Sequence, residues 1–302
     1  MDRVRNLINC DQVHRLGYTG RGVGVAILDT GISMHPDYAE RIRVFHDFCN
    51  HKNQPYDDNG HGSHIAGIIA GSGRMSKGRY RGVAPCASLI VLKVLDHTGN
   101  GNTKDVIEAM KWIIENRARY HICVANISVG MLPQSKHKER GQMLDWVDRM
   151  WDSGVFTVAA SGNGGPSSST VTIPGASSTV LTVGSSDDRD MMVRKRGLYP
   201  GYSGLGPTDC CVCKPEVLAP GTEIKSCSFE NNGYTIKSGT SMATAVVSGA
   251  CALAYDCFPG IPPAELKLRF YEKLSMEHTT NHNVNRNDFC WGILDVKKLL
   301  EG

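Results

Sequence analysis

The chain contains no apolar run approaching the roughly 18–20 residues that a bilayer-spanning helix needs. Charge of one sign is scarce too. The 33 Lys and Arg against 30 Asp and Glu leave +3, too little to point to nucleic acid or an anionic membrane. The opening stretch, MDRVRNLINCDQVHRLG, lacks the apolar centre of a secretory signal. The expected location is therefore cytoplasmic if Met1 is the native start, and secreted if a signal and propeptide have been removed. No internal repeat, low-complexity tract or long linker divides the 302 residues, so they read as one domain with residues 1–22 as a short leader. Cysteine is not lacking. Eleven is a high and odd count, which fits free thiols in a reducing compartment better than a disulfide framework. Cys210, Cys211 and Cys213 form one cluster with a metal-like look, but no second pair at ligand spacing lies near it, and the loop reading is preferred.

Short apolar, β-branched runs recur at 23–28, 89–95, 122–127, 155–159 and 180–183, the pattern of strands buried on both faces of a parallel sheet. Helix-like segments lie between them. Thr103 is the expected cap of a helix through Arg117, whose apolar stripe is Val106, Ile107, Met110, Ile113 and Ile114. Residues 142–151 and 264–273 read as two more helices. The alternation implies an α/β fold: three layers, with a doubly wound, mostly parallel sheet and helices on both faces.

Four stretches carry chemistry. Asp29 ends the strand 23–28 in "VAILDTG", and ligands of parallel sheets bind at carboxyl ends of strands. His61 lies between two glycines at the start of an apolar helix in "NGHGSHIAGIIAG". Ser241 opens a small-residue helix in "SGTSMATAVVSG", where free amides and the helix dipole favour a developing oxyanion. Asn163 follows a strand in the glycine loop "VAASGNGGP", placed to donate to the same oxyanion. An acid, a base and a hydroxyl on three element ends supply the roles of nucleophilic catalysis. Asp-Thr-Gly also suits an aspartic protease, with Asp152-Ser153-Gly154 as a second copy, but that tripeptide follows a helix-like stretch and leads into a strand. Gly20-x-Gly22-x-Gly24 precedes its strand rather than following it, which is wrong for a dinucleotide loop. His35 and His46 read as surface or loop histidines.

The blocks "ILDTGI", "NGHGSHIAG", "AASGNGG" and "GTSMATAVVSG" resemble the four signatures of subtilisin-like serine proteases, in the family's order, with His61 32 positions after Asp29. The resemblance runs from about Leu16 to Leu300 and implies peptide-bond hydrolysis. Ser241 would be the nucleophile, His61 the general acid/base and Asp29 its orienting acid. Asn163 and the Ser241 amide would form the oxyanion hole. His64 would be a structural partner. It further implies a polypeptide bound as an added strand between Gly99-Asn100-Gly101 and Ser128-Val129-Gly130. Gly162 and Gly164 would flank a pocket rim without charge, suited to apolar or uncharged side chains. Lys237 would face the leaving side and favour acidic residues. No cofactor is expected for the chemistry. Relatives often hold calcium just after the histidine helix, but residues 70–82 carry four cations and no carboxylate, so that site is expected to be absent. Asp57 and Asp58 leave room for a weaker one. The bond Ile173–Pro174 matches a position that is often cis. The alternative function is a catalytically silent pseudoprotease that binds peptides.

Overall fold

The computed structural model describes residues 1–132, 137–188, 200–208, 213–274 and 291–301. In chain order the elements begin with α1 (Asp2–Leu7), α2 (Cys10–Arg15), β1 (Gly24–Asp29) and β2 (Ile42–Asp47). The first half continues with α3 (His61–Ala70), β3 (Ser88–Lys93), α4 (Thr103–Tyr120) and β4 (Ile122–Ile127). Then follow α5 (His137–Asp152), β5 (Phe156–Ala160), β6 (Leu181–Ser185), β7 (Val217–Ala219), β8 (Ile224–Cys227) and β9 (Tyr234–Lys237). The chain closes with α6 (Thr240–Cys257), α7 (Pro263–Lys273), β10 (Gly292–Ile293) and α8 (Val296–Leu300).

Eight strands form one sheet in the order β10-β7-β6-β5-β4-β1-β3-β2, and every pairing in it is parallel. The apolar runs form strands because both faces of the sheet are covered. Along β1, Val25 and Ile27 point into one core with α3 and α6, while Ala26 and Leu28 point into the other with α4 and α5. The expected three-layer, doubly wound architecture is what the chain adopts. Successive strands go to one side of β1 and then to the other, so the switch of direction falls beside β1, where parallel sheets open their ligand crevice.

Element boundaries differ from expectation in instructive places. Asn102, not Thr103, caps α4: its side-chain oxygen accepts from the Asp105 amide at 2.9 Å, and the helix starts at Thr103. The helix expected from 142 starts at His137, and its end at Asp152 turns through Gly154 into β5. The second Asp-x-Gly is therefore a helix-to-strand turn. Residues 1–22 carry buried Val4, Ile8, Cys10 and Val13 in the core with α3 and α6. Eight cysteines among the described residues are free thiols. Cys210 and Cys211 lie outside the described residues.

Candidate active site

The carboxyl end of β1 meets the amino end of α3. Gly62 makes this approach feasible, because a Cβ there would collide with the Gly31 carbonyl oxygen. Thr30 ties the two ends: its hydroxyl accepts from the Gly62 amide at 2.9 Å and donates to Asp57 at 2.9 Å. Asp57 in turn accepts from the amides of Asn59, Gly60 and Ser63 and from the Ser63 hydroxyl. Burial works against its charge, yet these donors hold its carboxyl below the usual carboxylate range.

Asp29 is fully buried, and both its oxygens lie 2.8–2.9 Å from Nδ1 of His61. A carboxylate only accepts, so Nδ1 carries the hydrogen and Nε2 is left as the basic nitrogen. The His61 side chain is 24% exposed. Burial disfavours its imidazolium, but the Asp29 charge and hydrogen bond outweigh burial and raise its pKa above 6.5.

Asn163 follows the end of β5. Its Oδ1 accepts from the Thr240 amide at 3.0 Å and from the Thr240 hydroxyl at 3.1 Å. An amide N–H requires an acceptor, so this contact fixes which way the carboxamide faces and turns Nδ2 the other way. Ser241 is the second residue of α6, and first-turn amides of a helix have no intrahelical acceptor. The Ser241 hydroxyl donates to the Ser128 carbonyl at 3.3 Å, and no hydrogen bond joins it to His61. Asp29 and His61 are thus in direct contact, Asn163 and Thr240 are in direct contact, and Ser241 rests against Ser128.

A cavity of about 470 Å³ is lined by His61 together with Gly99, Asn100, Gly101, Ser128, Val129 and Gly130. Both expected edges therefore face one cleft. Gly162, Gly164 and Lys237 do not line it, although the Lys237 charge acts on His61. The Ile173–Pro174 bond on the cleft wall is cis, as expected.

The profile described as the subtilase family matches residues 20–292. The chain belongs to that family. It is 38% identical over 286 residues to the serine protease AprX of Bacillus subtilis (strain 168), covering 88% of this chain and 65% of that protein. The chain thus spans less than two thirds of that relative's length. It is 35% identical to Subtilisin Savinase of Lederbergia lenta, covering 82% of this chain and 81% of that one. Among solved structures, a cold-adapted subtilisin-like serine proteinase superposes with a TM-score of 0.72 at 29% identity, covering 92% of this chain and 91% of that one. Sphericase superposes with a TM-score of 0.73 at 28% identity, over 85% and 84% of the two chains.

Two features of this subtilase escaped the sequence reading. The ammonium of Lys93, fully buried at the end of β3, donates to the carbonyls of Thr30 at 2.6 Å and Leu95 at 2.8 Å, and to Asp58 at 2.7 Å. One cation so joins the loop after Asp29, the loop before His61 and the loop that leads from β3 to the 99–101 edge. The signal was a lysine ending the otherwise apolar strand "SLIVLK". The second is the 70–82 segment, whose carbonyls meet guanidinium groups. Arg41 donates to Ala70 and Asp37 oxygens, and Arg5 donates to the carbonyls of Arg79 and Arg81. His35 is a loop residue but buried, with Nδ1 accepting from the Asp37 amide and Nε2 facing the Gly233 carbonyl.

Proposed function

We propose that this subtilase is a serine endopeptidase acting through an acyl-enzyme on Ser241. The Asp29–His61 contact carries the reading, because it holds the hydrogen of the neutral imidazole on Nδ1 and so presents Nε2 as the base. In the reaction, Oγ of Ser241 leaves the long Ser128 contact and passes its proton to Nε2 while attacking the peptide carbonyl. Apo contacts of this kind tighten once substrate is loaded. Nδ2 of Asn163 and the Ser241 amide stabilise the oxyanion. The His61 imidazolium then protonates the leaving amine, its charge balanced by Asp29. Water, deprotonated by the same nitrogen, releases the acyl group.

The substrate is a polypeptide lying as an added strand between the 99–101 and 128–130 edges. The residue before the cut is apolar or uncharged, since Gly162 and Gly164 bring no charge. Residues after the cut favour acid near Lys237. The chemistry requires no cofactor. Loop 70–82 requires no calcium either, because the guanidinium groups of Arg5 and Arg41 supply the positive charge its carbonyls attract. Asp57 is spent on internal donors and Asp58 on Lys93. Adding EDTA should leave the melting temperature within a few degrees of its starting value, and a fall of many degrees would overturn the calcium statement. The central test is covalent labelling by a fluorophosphonate probe. Wild type should label and cleave peptides, Ser241→Ala should do neither, and an unlabelled wild type would leave a peptide-binding pseudoprotease.

A further inference from the structure

A second cavity, of about 730 Å³, adjoins the cleft and shares Gly101, Asn102, Thr103 and Met131 with it. Its walls come from the two helices on the far side of that edge: Lys104, Ile107 and Lys111 on α4, and Glu139, Gln142 and Trp146 on α5. His61 lines only the first cavity, so the second lies beyond the 99–101 edge, away from the reacting atoms.

The charges of this second cavity are unequal. The Lys104 side chain is exposed and has no partner among the described residues. Lys111 pairs with Glu108 at 2.7 Å and lies 5.0 Å from the centre of the Trp146 ring. Arg149 sits over the same ring at 4.8 Å. Glu139, on the opposite wall, already has an interaction of its own. Lys104 is therefore the lining cation without a partner among the described residues, and the apolar surface is the indole with Ile107 and Met131.

We propose that this cavity is an upstream subsite that takes acidic side chains of the substrate. The inference rests on the endopeptidase reading. Each edge of the cleft offers three residues, about 10 Å of strand at roughly 3.3 Å per residue, so about three substrate residues lie between the edges, and Thr103, Val106 and Met143 extend the same cleft to take a fourth. The fifth and sixth residues before the cut then reach the second cavity, where a Glu or Asp side chain meets Lys104 and its aliphatic stem meets Trp146. The pair is solvent-exposed, so a two- to fivefold effect on kcat/KM is about the expected size at low salt.

The test uses peptides sharing one core, with Glu, Gln or Lys at the fifth and sixth positions, or ending before them. With wild type, kcat/KM should fall in the order Glu, Gln, Lys. Lys104→Glu should reverse that order and leave the short core peptide unaffected. Equal rates for the three extended peptides, or an order unchanged by Lys104→Glu, would overturn the subsite. Affinities for the same peptides measured on Ser241→Ala keep the two proposals apart. If wild type fails to cut the core peptide, the endopeptidase reading is lost, while a Glu-over-Lys affinity ratio on Ser241→Ala still decides whether the cavity selects acid.

Discussion

His61 and His64 sit less than one turn apart on α3, and their environments drive them in opposite directions. His61 starts the helix, keeps a quarter of its side chain in contact with solvent and faces a carboxylate, which raises its pKa above the usual value. His64 is fully buried and faces the Ile224 carbonyl at 3.0 Å through Nε2, while its Nδ1 has no partner among the described residues. Burial above all, with the charges of His61 and Lys237 added, pushes its pKa down to about 3. The difference teaches that imidazole is made into a usable base by its acceptor rather than by its place on a helix. A carboxylate stabilises the charged form that appears during catalysis, whereas a carbonyl in a dry core holds a neutral ring as a structural donor.

Replacing the carboxylate breaks the comparison most severely. In Asp29→Asn the amide can donate to Nδ1 and favour the wrong tautomer, so kcat should drop by about 10⁴-fold. Burial and the Lys237 charge then act on His61 against the Asp57 charge alone, and the acidic limb of the kcat/KM–pH profile should move to lower pH. An unmoved limb would mean that Asp29 does not set the His61 pKa. Asn163→Ala is the next largest change and leaves both histidines alone. In the proposed mechanism it removes one oxyanion donor, a change worth about 10²–10³-fold in kcat in a subtilisin, and it should leave the limb where it was. A raised KM with kcat preserved would move Asn163 from the oxyanion to substrate binding.

The buried member of the pair should be visible in stability instead of rate. Unfolded histidine binds a proton near pH 6.5, but folded His64 resists it until about pH 3. Between those values the unfolded state holds the extra proton, so stability falls with pH by up to about 1.4 kcal/mol per pH unit. His61 has the opposite sign. Its folded pKa is raised, so its contribution is complete below 6.5 and is lost as pH rises through the folded value. Urea midpoints measured on Ser241→Ala, inactive under the proposed mechanism, should fall between pH 7 and pH 5. Adding His64→Gln, which can still donate to Ile224, should lessen that fall, to which the lowered pKa values of His14 and the Met1 amine also contribute, and an unchanged slope would remove His64 as a source.

Much of this was legible because it is local. Asp29, His61, Asn163 and Ser241 each stand beside a strand end or helix start whose glycines and apolar runs are readable in a few residues. The alternating contacts of β1 follow likewise from its apolar run. What was not legible depends on distant backbone. Lys93 satisfies acceptors from three loops, and no spacing in the chain brings Thr30, Asp58 and Leu95 together. The cap at Asn102 was misjudged because both Asn and Thr are good caps, and only the Asn102 oxygen meets the Asp105 amide. The resting bond of Ser241 to Ser128 was invisible for a related reason: a hydroxyl rotor chooses among acceptors that only the folded chain assembles.

The smallest perturbation sharpens the comparison by moving both histidines the same way. Lys237, on β9, has no partner among the described residues, and its positive charge disfavours protonation of His61 and His64 alike. Lys237→Gln should therefore shift the acidic limb of kcat/KM slightly upward, because His61 becomes easier to protonate. The same substitution should reduce the acid loss of stability, because His64 resists protonation less. Both effects come from one charge acting at a distance through partly solvated space. At about 1 M salt, where the Debye length is about 3 Å, the shift of the limb should disappear while the Asp29→Asn shift persists, since that contact is direct and buried. A Lys237→Gln shift that survives high salt would mean that the lysine acts on His61 through a contact or a loop movement rather than through its charge at a distance.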